Sequence, residues 1–262
     1  MMKYTLAFLV CFCLFTSALA QKSVLLDSYF NNEFKKGPNG EKVSWHYKWD
    51  ETAPSGFSIL GETFKKYGFK LATLFEAPTA ENLRGHAVYI IVDPDNLRDS
   101  PTPNYMDDKS VSAIASWVKK GGALLVLAND SANAELKHFN KLANVFGINF
   151  NNEMINHVTN DVTREGGGVD TKGNPMFATA KQVYMKDACS ITVKGDAYPL
   201  LKQQNDIIIA GSNYGKGFVV AIGDPWLYNE YVNGKLQAEF ENDKGANDLV
   251  LWLKNKLAKV AK

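Results

Sequence analysis

Ala87-Val88-Tyr89-Ile90-Ile91-Val92-Asp93-Pro94-Asp95 is the stretch whose reading decides the fold. Its apolar residues run on without the polar alternation of a half-solvated strand. The run is also too short for an ordinary helix, so it predicts a strand covered on both faces. Ala123-Leu124-Leu125-Val126-Leu127 reads the same way, and so does Ser23-Val24-Leu25-Leu26-Asp27. Helical stripes lie between these runs. Phe57, Leu60, Phe64 and Tyr67 share one face and are closed by Gly68; Val111, Ile114, Ala115 and Val118 share another, entered through Asp107-Asp108 and closed by Gly121-Gly122. A third stripe carries Leu136, Phe139, Ala143 and Phe146, with Gly147 as its stop. Strands alternating with helices predict an α/β fold built on a doubly wound, mostly parallel sheet.

Further along, Asp206-Ile207-Ile208-Ile209-Ala210 and Phe218-Val219-Val220-Ala221-Ile222-Gly223 flank the turn Tyr214-Gly215-Lys216-Gly217, which is a hairpin signal. A last helix from about Lys244 to Val260 places Leu249, Leu253, Leu257 and Val260 at helical spacing. Residues 151–204 lose this periodicity. They carry Gly166-Gly167-Gly168, Asn174-Pro175 and two short strand-like pieces, at Val183-Tyr184 and Ser190-Ile191-Thr192-Val193. They read as an irregular, β-containing insertion within a single domain spanning 21–262.

Residues 1–20 have the anatomy of a secretory signal peptide. Met1-Met2-Lys3 supplies a positive charge, Leu6 to Phe15 a short apolar core, and Ser17-Ala18-Leu19-Ala20 the small residues of a cleavage site. Cleavage would leave a soluble periplasmic or secreted protein, since no later segment offers about 20 uninterrupted apolar residues. Cys11 and Cys13 lie inside this leader, so Cys189 alone would remain and could form no internal disulfide. Lys and Arg number 29 against 28 Asp and Glu. No basic run exceeds a lysine pair such as Lys119-Lys120, beside the scattered lysines of the last helix, which argues against a nucleic-acid partner.

In open α/β sheets, ligands bind beyond the carboxyl ends of the strands, where the loops diverge. Here those ends are acidic. The first strand ends in Asp27 and continues Ser28-Tyr29-Phe30-Asn31-Asn32-Glu33; others end in Asp93-Pro94-Asp95, in Asn129-Asp130, and in Asp224-Pro225-Trp226-Leu227-Tyr228-Asn229-Glu230. Any one of these has a structural explanation, because Asp and Asn are ordinary turn and cap residues. Four strand ends together point to a site. The long segment from Ser28 to Pro54 adds Trp45, His46, Tyr47 and Trp49, and aromatic faces beside carboxylates and amides suit a carbohydrate ligand.

Asp27 and Asp224 are therefore expected at the centre of a catalytic group that also includes Glu33, Asp93, Asp130 and His46. Asn31, Asn32, Trp45, Trp49, Asp95, His138, Trp226, Tyr228, Asn229 and Glu230 are expected to bind an oligosaccharide or polysaccharide. No His/Cys set has zinc spacing, and no cofactor is expected. A hard ion such as calcium could sit among Asp27, Asp93, Asp95 and Asp224, although no calcium-loop signature is present. The Gly-x-Ser-x-Gly elbow, the Gly-x-x-x-x-Gly-Lys phosphate loop and a Gly-x-Gly-x-x-Gly turn after the first strand are all absent.

Several blocks resemble a known family. They are Asp27-Ser28-Tyr29-Phe30-Asn31-Asn32-Glu33, Trp45-His46-Tyr47-Lys48-Trp49-Asp50, Ser55-Gly56-Phe57-Ser58, Ile91-Val92-Asp93-Pro94-Asp95, Asn129-Asp130, His138-Phe139-Asn140, Tyr214-Gly215-Lys216-Gly217, and above all Gly223-Asp224-Pro225-Trp226-Leu227-Tyr228-Asn229-Glu230-Tyr231. Together they resemble the class I glutamine-amidotransferase-like domain attached to some bacterial unsaturated rhamnogalacturonyl hydrolases of glycoside hydrolase families 88 and 105. The resemblance implies an envelope protein of pectin-type polysaccharide breakdown, while the strand and helix alternation predicts a flavodoxin-like or amidotransferase-like sheet, and the carboxylates and aromatics suit either a glycan hydrolase or a non-catalytic sugar-binding accessory module. The helical barrel of those hydrolases has no counterpart in this sequence. The amidotransferase cysteine is missing too, since Ala128-Asn129-Asp130 follows the strand that would carry it.

Overall fold

The computed structural model describes residues 22–160 and 165–260, so the expected signal peptide lies outside the described residues. The first apolar run forms β1 (Ser23–Asp27), and the segment after it carries a small hairpin, β2 (Phe34–Lys36) and β3 (Lys42–Ser44). Helix α1 (Ser58–Lys66) ends where Gly68 adopts a φ of 89°, a conformation glycine takes without a Cβ penalty, and the chain turns into β4 (Lys70–Leu74). β5 (Val88–Val92), α2 (Asp108–Lys119), β6 (Ala123–Leu127) and α3 (Leu136–Val145) follow. The Asp107 carboxylate accepts the Ser110 N–H to cap α2, and Glu135 accepts the His138 N–H to cap α3. Beyond them come β7 (Ile148–Phe150), β8 (Gly168–Asp170), β9 (Gln182–Tyr184), β10 (Ile191–Val193), β11 (Ala197–Gln203), β12 (Asp206–Tyr214), β13 (Gly217–Ile222) and α4 (Asn242–Val260).

The fold is α/β around a mixed, mostly parallel nine-stranded sheet. Its path runs β4-β1-β5-β6-β13-β12-β10-β7, with β11 pairing on β12. The strands from β4 to β13 along this path are parallel, and β12 and β7 run against the others. The segment read as an irregular insertion is more ordered than its sequence suggests. β8 and β9 pair as a separate ribbon, while β10 and β11 extend the main sheet.

Each central strand is buried on both sides. Val24, Leu26, Ile90, Leu125 and Val220 face Leu60 and Phe64 of α1 and Leu249 and Leu253 of α4. Leu25, Tyr89, Ile91, Val126 and Ala221 face Ile114 and Val118 of α2 and Phe139 and Leu142 of α3. The register aligns Val92, Leu127 and Ile222, so Asp93, Ala128 and Gly223 leave the sheet side by side. That alignment is what delivers acidic residues to one edge.

Gly223 permits a close approach there. A Cβ on it would lie 2.0 Å from the Cys189 carbonyl oxygen, and the Cys189 N–H donates to the Gly223 carbonyl. Gly223→Ala is expected to destabilise the fold by about 1–3 kcal/mol, the usual cost of overpacking a close-packed interior. Urea denaturation followed by tryptophan fluorescence measures it, and an unchanged midpoint would contradict the close approach.

Candidate functional site

The chain leaves β1 on one side toward β4, then returns across β1 to β5 on the other. The loops after β1 and β5 meet beyond the carboxyl ends of these neighbouring strands, where the Asp95 N–H donates to the Phe30 carbonyl. Asp27 ends the first strand and Asp93 follows the second.

Asp27 is fully buried. Its Oδ1 accepts the Tyr29 and Phe30 N–H groups at 3.1 and 2.7 Å, and its Oδ2 accepts the Tyr89 hydroxyl at 2.6 Å. Burial pushes its pKa to about 6 against the pull of those donors and of Lys48. Lys48 is itself buried, and its ammonium donates to both the carbonyl and the side-chain oxygen of Asn31, at 2.7 and 2.8 Å. Burial lowers its pKa to about 8, although Asp27, Asp95, Glu33 and Glu51 all favour the charged form. Asn31 in turn donates from Nδ2 to the Asp93 carbonyl, which ties the first loop to the end of β5. Asp95 accepts the Asn32 N–H through Oδ2 while its Oδ1 is buried without a partner, and burial raises its pKa to about 7.

Asp93 is the strained point of this edge. Its φ is 43°, and two successive residues of the loop opposite, His46 and Tyr47, have φ of 56° and 51°. Non-glycine residues avoid this region at a cost of about 1–3 kcal/mol each, and such residues concentrate at functional sites. The Asp93 Oδ1 is sealed from solvent without a hydrogen-bond partner, and the Tyr47 hydroxyl and Asn129 amide lie beside the carboxyl. Burial, aided by the negative charges of Glu33 and Asp99, raises its pKa to about 7. His46 Nδ1 sits 2.5 Å from Glu33 Oε1. Burial alone would lower the imidazole pKa, but Glu33, Asp93 and Glu51 outweigh it and raise it.

Asp224 is buried at the end of β13. Oδ1 accepts the Trp226 N–H and Oδ2 the Lys186 N–H, both at 2.7 Å, while burial and the charges of Asp187 and Asp93 lift its pKa to about 7. It therefore holds a turn and also feels the charge on Asp93. Asp130 accepts the Ala132 N–H and the Asn133 amide, closing the turn before α3.

The structure separates the remaining predicted residues. Trp45 is half-buried with the Lys35 ammonium 3.3 Å from its ring centre. Trp49 donates to the Ala72 carbonyl and packs against Phe57 and Phe64, anchoring the loop to α1 and β4. Tyr228 lies wholly in the core and so presents no ring at the surface, while Asn229 is buried and caps a 3-10 turn that begins at Glu230. Trp226 is half-buried beside Tyr231. His138 stacks on Tyr105 and bonds to Glu135, whose N–H donates to the Pro94 carbonyl. Among the described residues, no group of three or more His, Cys, Asp and Glu side chains converges to hold a metal ion, the four aspartates weighed for calcium included. Sequence reasoning missed Lys48, Glu51 and Tyr89. A lysine enclosed by Trp45, Tyr47 and Trp49 was the available signal for the first.

No family model and no curated protein matches the chain. Solved structures do share its fold. The mmIFT52 N-terminal domain superposes with a TM-score of 0.65 at 16% identity, covering 89% of this chain and 97% of that one. The cytoplasmic protein STM1381 from Salmonella typhimurium LT2 gives 0.52 at 17%, covering 87% and 98%. A beta-galactosidase from Rahnella sp. R3 gives 0.53 at 15%, with 91% of this chain matching only 32% of that enzyme.

The raised carboxyl pKa values fix a sign for stability. Between the ordinary value near 3.8 and about 7, Asp93, Asp95 and Asp224 hold protons in the folded state that the unfolded chain has released, as Asp27 does up to about 6. Stability from these groups is therefore greatest below pH 3.8 and is lost as pH rises through the folded pKa values. The melting temperature is expected to fall across this window, and Asp93→Asn to flatten the fall while raising the melting temperature at pH 7.5. Scanning calorimetry from pH 4 to 8 measures both; a wild-type melting temperature that climbs over the same range would refute the assignment.

Proposed function

We propose that this chain is a carbohydrate-active protein of polysaccharide breakdown, exported to the periplasm or beyond, which engages a pectin-type glycan at the acidic edge beyond β1 and β5. The observation that carries the proposal is the Asp93 carboxyl. A sealed acceptor oxygen without a donor costs stability and so marks a residue held for something other than the fold, and the half-buried Asp93, Glu33 and His46 offer a sugar's hydroxyls the acceptors and donors that bind them. Glu33 and His46 are near enough to act on its charge, and the Trp45 ring, with the Lys35 ammonium over one face, packs beside His46.

In the hydrolase form of this reading, Asp93 with its pKa near 7 is protonated in a substantial fraction of molecules and acts as general acid. Glu33, oriented by His46, is the second carboxyl of the pair, on the other side of the scissile bond. A specific observation favours a non-catalytic sugar-binding module instead. Asp27, Asp130 and Asp224 already use both carboxylate oxygens on turn and side-chain donors, which leaves few free carboxylates for chemistry.

The strand order β4-β1-β5-β6-β13, with β1 between the second and third strands of the chain's parallel set, supports the finer reading of the fold as flavodoxin-like or class I glutamine-amidotransferase-like. The shared fold of the Rahnella galactosidase segment is consistent with a place in glycan handling.

Incubation with a panel of rhamnogalacturonan oligosaccharides, read by mass spectrometry and by calorimetric titration, tests the proposal. Cleavage that falls by about 10²–10⁴-fold in Asp93→Asn and Glu33→Gln identifies the hydrolase. Binding without cleavage, weakened in the same variants, identifies the accessory module. Neither binding nor cleavage by the folded wild type rejects both.

A further inference from the structure

At the opposite edge of the sheet, where the strands begin, lies a cavity of about 520 Å³. Its wall includes Arg84 and His86 from the turn entering β5, Ser116, Trp117 and Lys120 from the end of α2, and Gly122 from the turn entering β6. This volume suits a small ligand. Five features bear on which one.

Arg84 and Lys120 supply two positive charges and, among the described residues, neither side chain has an ion pair or hydrogen bond. Trp117 is half-buried and lies so flat on the chain that a Cβ at Gly122 would come within 2.5 Å of its ring, so the glycine is what lets the indole form a wall. His86 is fixed by the Ser23 hydroxyl, 2.5 Å from Nδ1, which leaves Nε2 for another partner. Ser116 adds an exposed hydroxyl. The backbone argues against a multiply charged anion such as phosphate more than against a single carboxylate. The cavity meets the carboxyl end of α2, whose partial charge is negative, and the Gly121 and Gly122 N–H groups already donate to Val118 and Trp117 carbonyls.

The geometry points to a second ligand site here, for a sugar acid: a single carboxylate paired with Arg84 and Lys120, a ring face against Trp117, and hydroxyls bonded by His86 and Ser116. A bidentate guanidinium contact is the natural mode for the carboxylate. A neutral sugar leaves both cations unused, and an anion without a ring leaves the indole unused. The site stands on its own residues and is independent of the acidic edge at Asp93.

Titration calorimetry on the whole protein tests it, using D-galacturonate and D-glucuronate as probes, with D-galactose and acetate as controls. At least one uronate should bind with a dissociation constant below about 10 mM, more tightly than either control. The double variant Arg84→Gln/Lys120→Gln changes only exposed side chains; it should keep the wild-type melting temperature and weaken the uronate by about tenfold or more. Loss of uronate affinity in the double variant separates this site from the acidic edge at Asp93, because Arg84 and Lys120 lie at the other edge of the sheet. Equal affinity for acetate and the uronates would mean undirected charge attraction only and would overturn the proposal. So would undiminished uronate binding in the double variant, or no uronate binding at all.

Discussion

Lys48 carries its ammonium into a space closed to water and donates it to two oxygens of a single residue, Asn31. An isolated buried cation would be strongly destabilising, so its surroundings must answer it, and they do with Asp27, Asp95, Glu33 and Glu51. Those four come from three separate stretches of chain. The long loop after β1, its return toward α1 and the turn after β5 are thereby drawn to one charge. Asn31 passes the connection on to the Asp93 carbonyl, so the strained end of β5 rests on the same group. Removing the ammonium while leaving the carboxylates would set like charges against one another in a dry place.

This explains why so many acids at this edge have raised pKa values while the edge still holds together. Burial opposes their ionisation, and one lysine cannot neutralise them all. Protonation absorbs the excess, which makes the edge more tolerant of acid than of base. The left-handed residues His46, Tyr47 and Asp93 sit where this crowding is greatest. The strain is held in place by packing beneath it, with Tyr47 against Phe57 and Trp49 against Phe57 and Phe64.

Much of the fold was legible because burial on both faces writes itself as continuous apolar runs, as in β1, β5, β6 and β13. β4 escaped notice because an edge strand needs no such run: Lys70-Leu71-Ala72-Thr73-Leu74 is partly exposed along most of its length. β11 carries Pro199 and pairs only with β12, so its sequence resembles a loop. The site was legible as a concentration of acids at strand ends, but its centre was not. The expected pair, Asp27 and Asp224, proves to have both carboxylate oxygens of each residue already bonded. Asp93, with an unanswered oxygen and a positive φ, is the residue the others surround. Nothing in a sequence distinguishes an aspartate that caps its own turn from one whose turn points it at its neighbours. That difference is a matter of backbone dihedrals and of which distant amide happens to lie within reach.

Cys189 lies under this edge, wholly buried, with burial holding its thiol far from ionisation. Its N–H is clasped by the Gly223 carbonyl, and the Gly223 N–H by that of Ile208. An alkylating reagent can therefore reach the sulfur only when the strip from Lys186 to Cys189 peels away from the end of β13. It is the only thiol among the described residues. Its labelling rate is accordingly a built-in clock for how often the acidic edge breathes, read without adding a probe to the molecule.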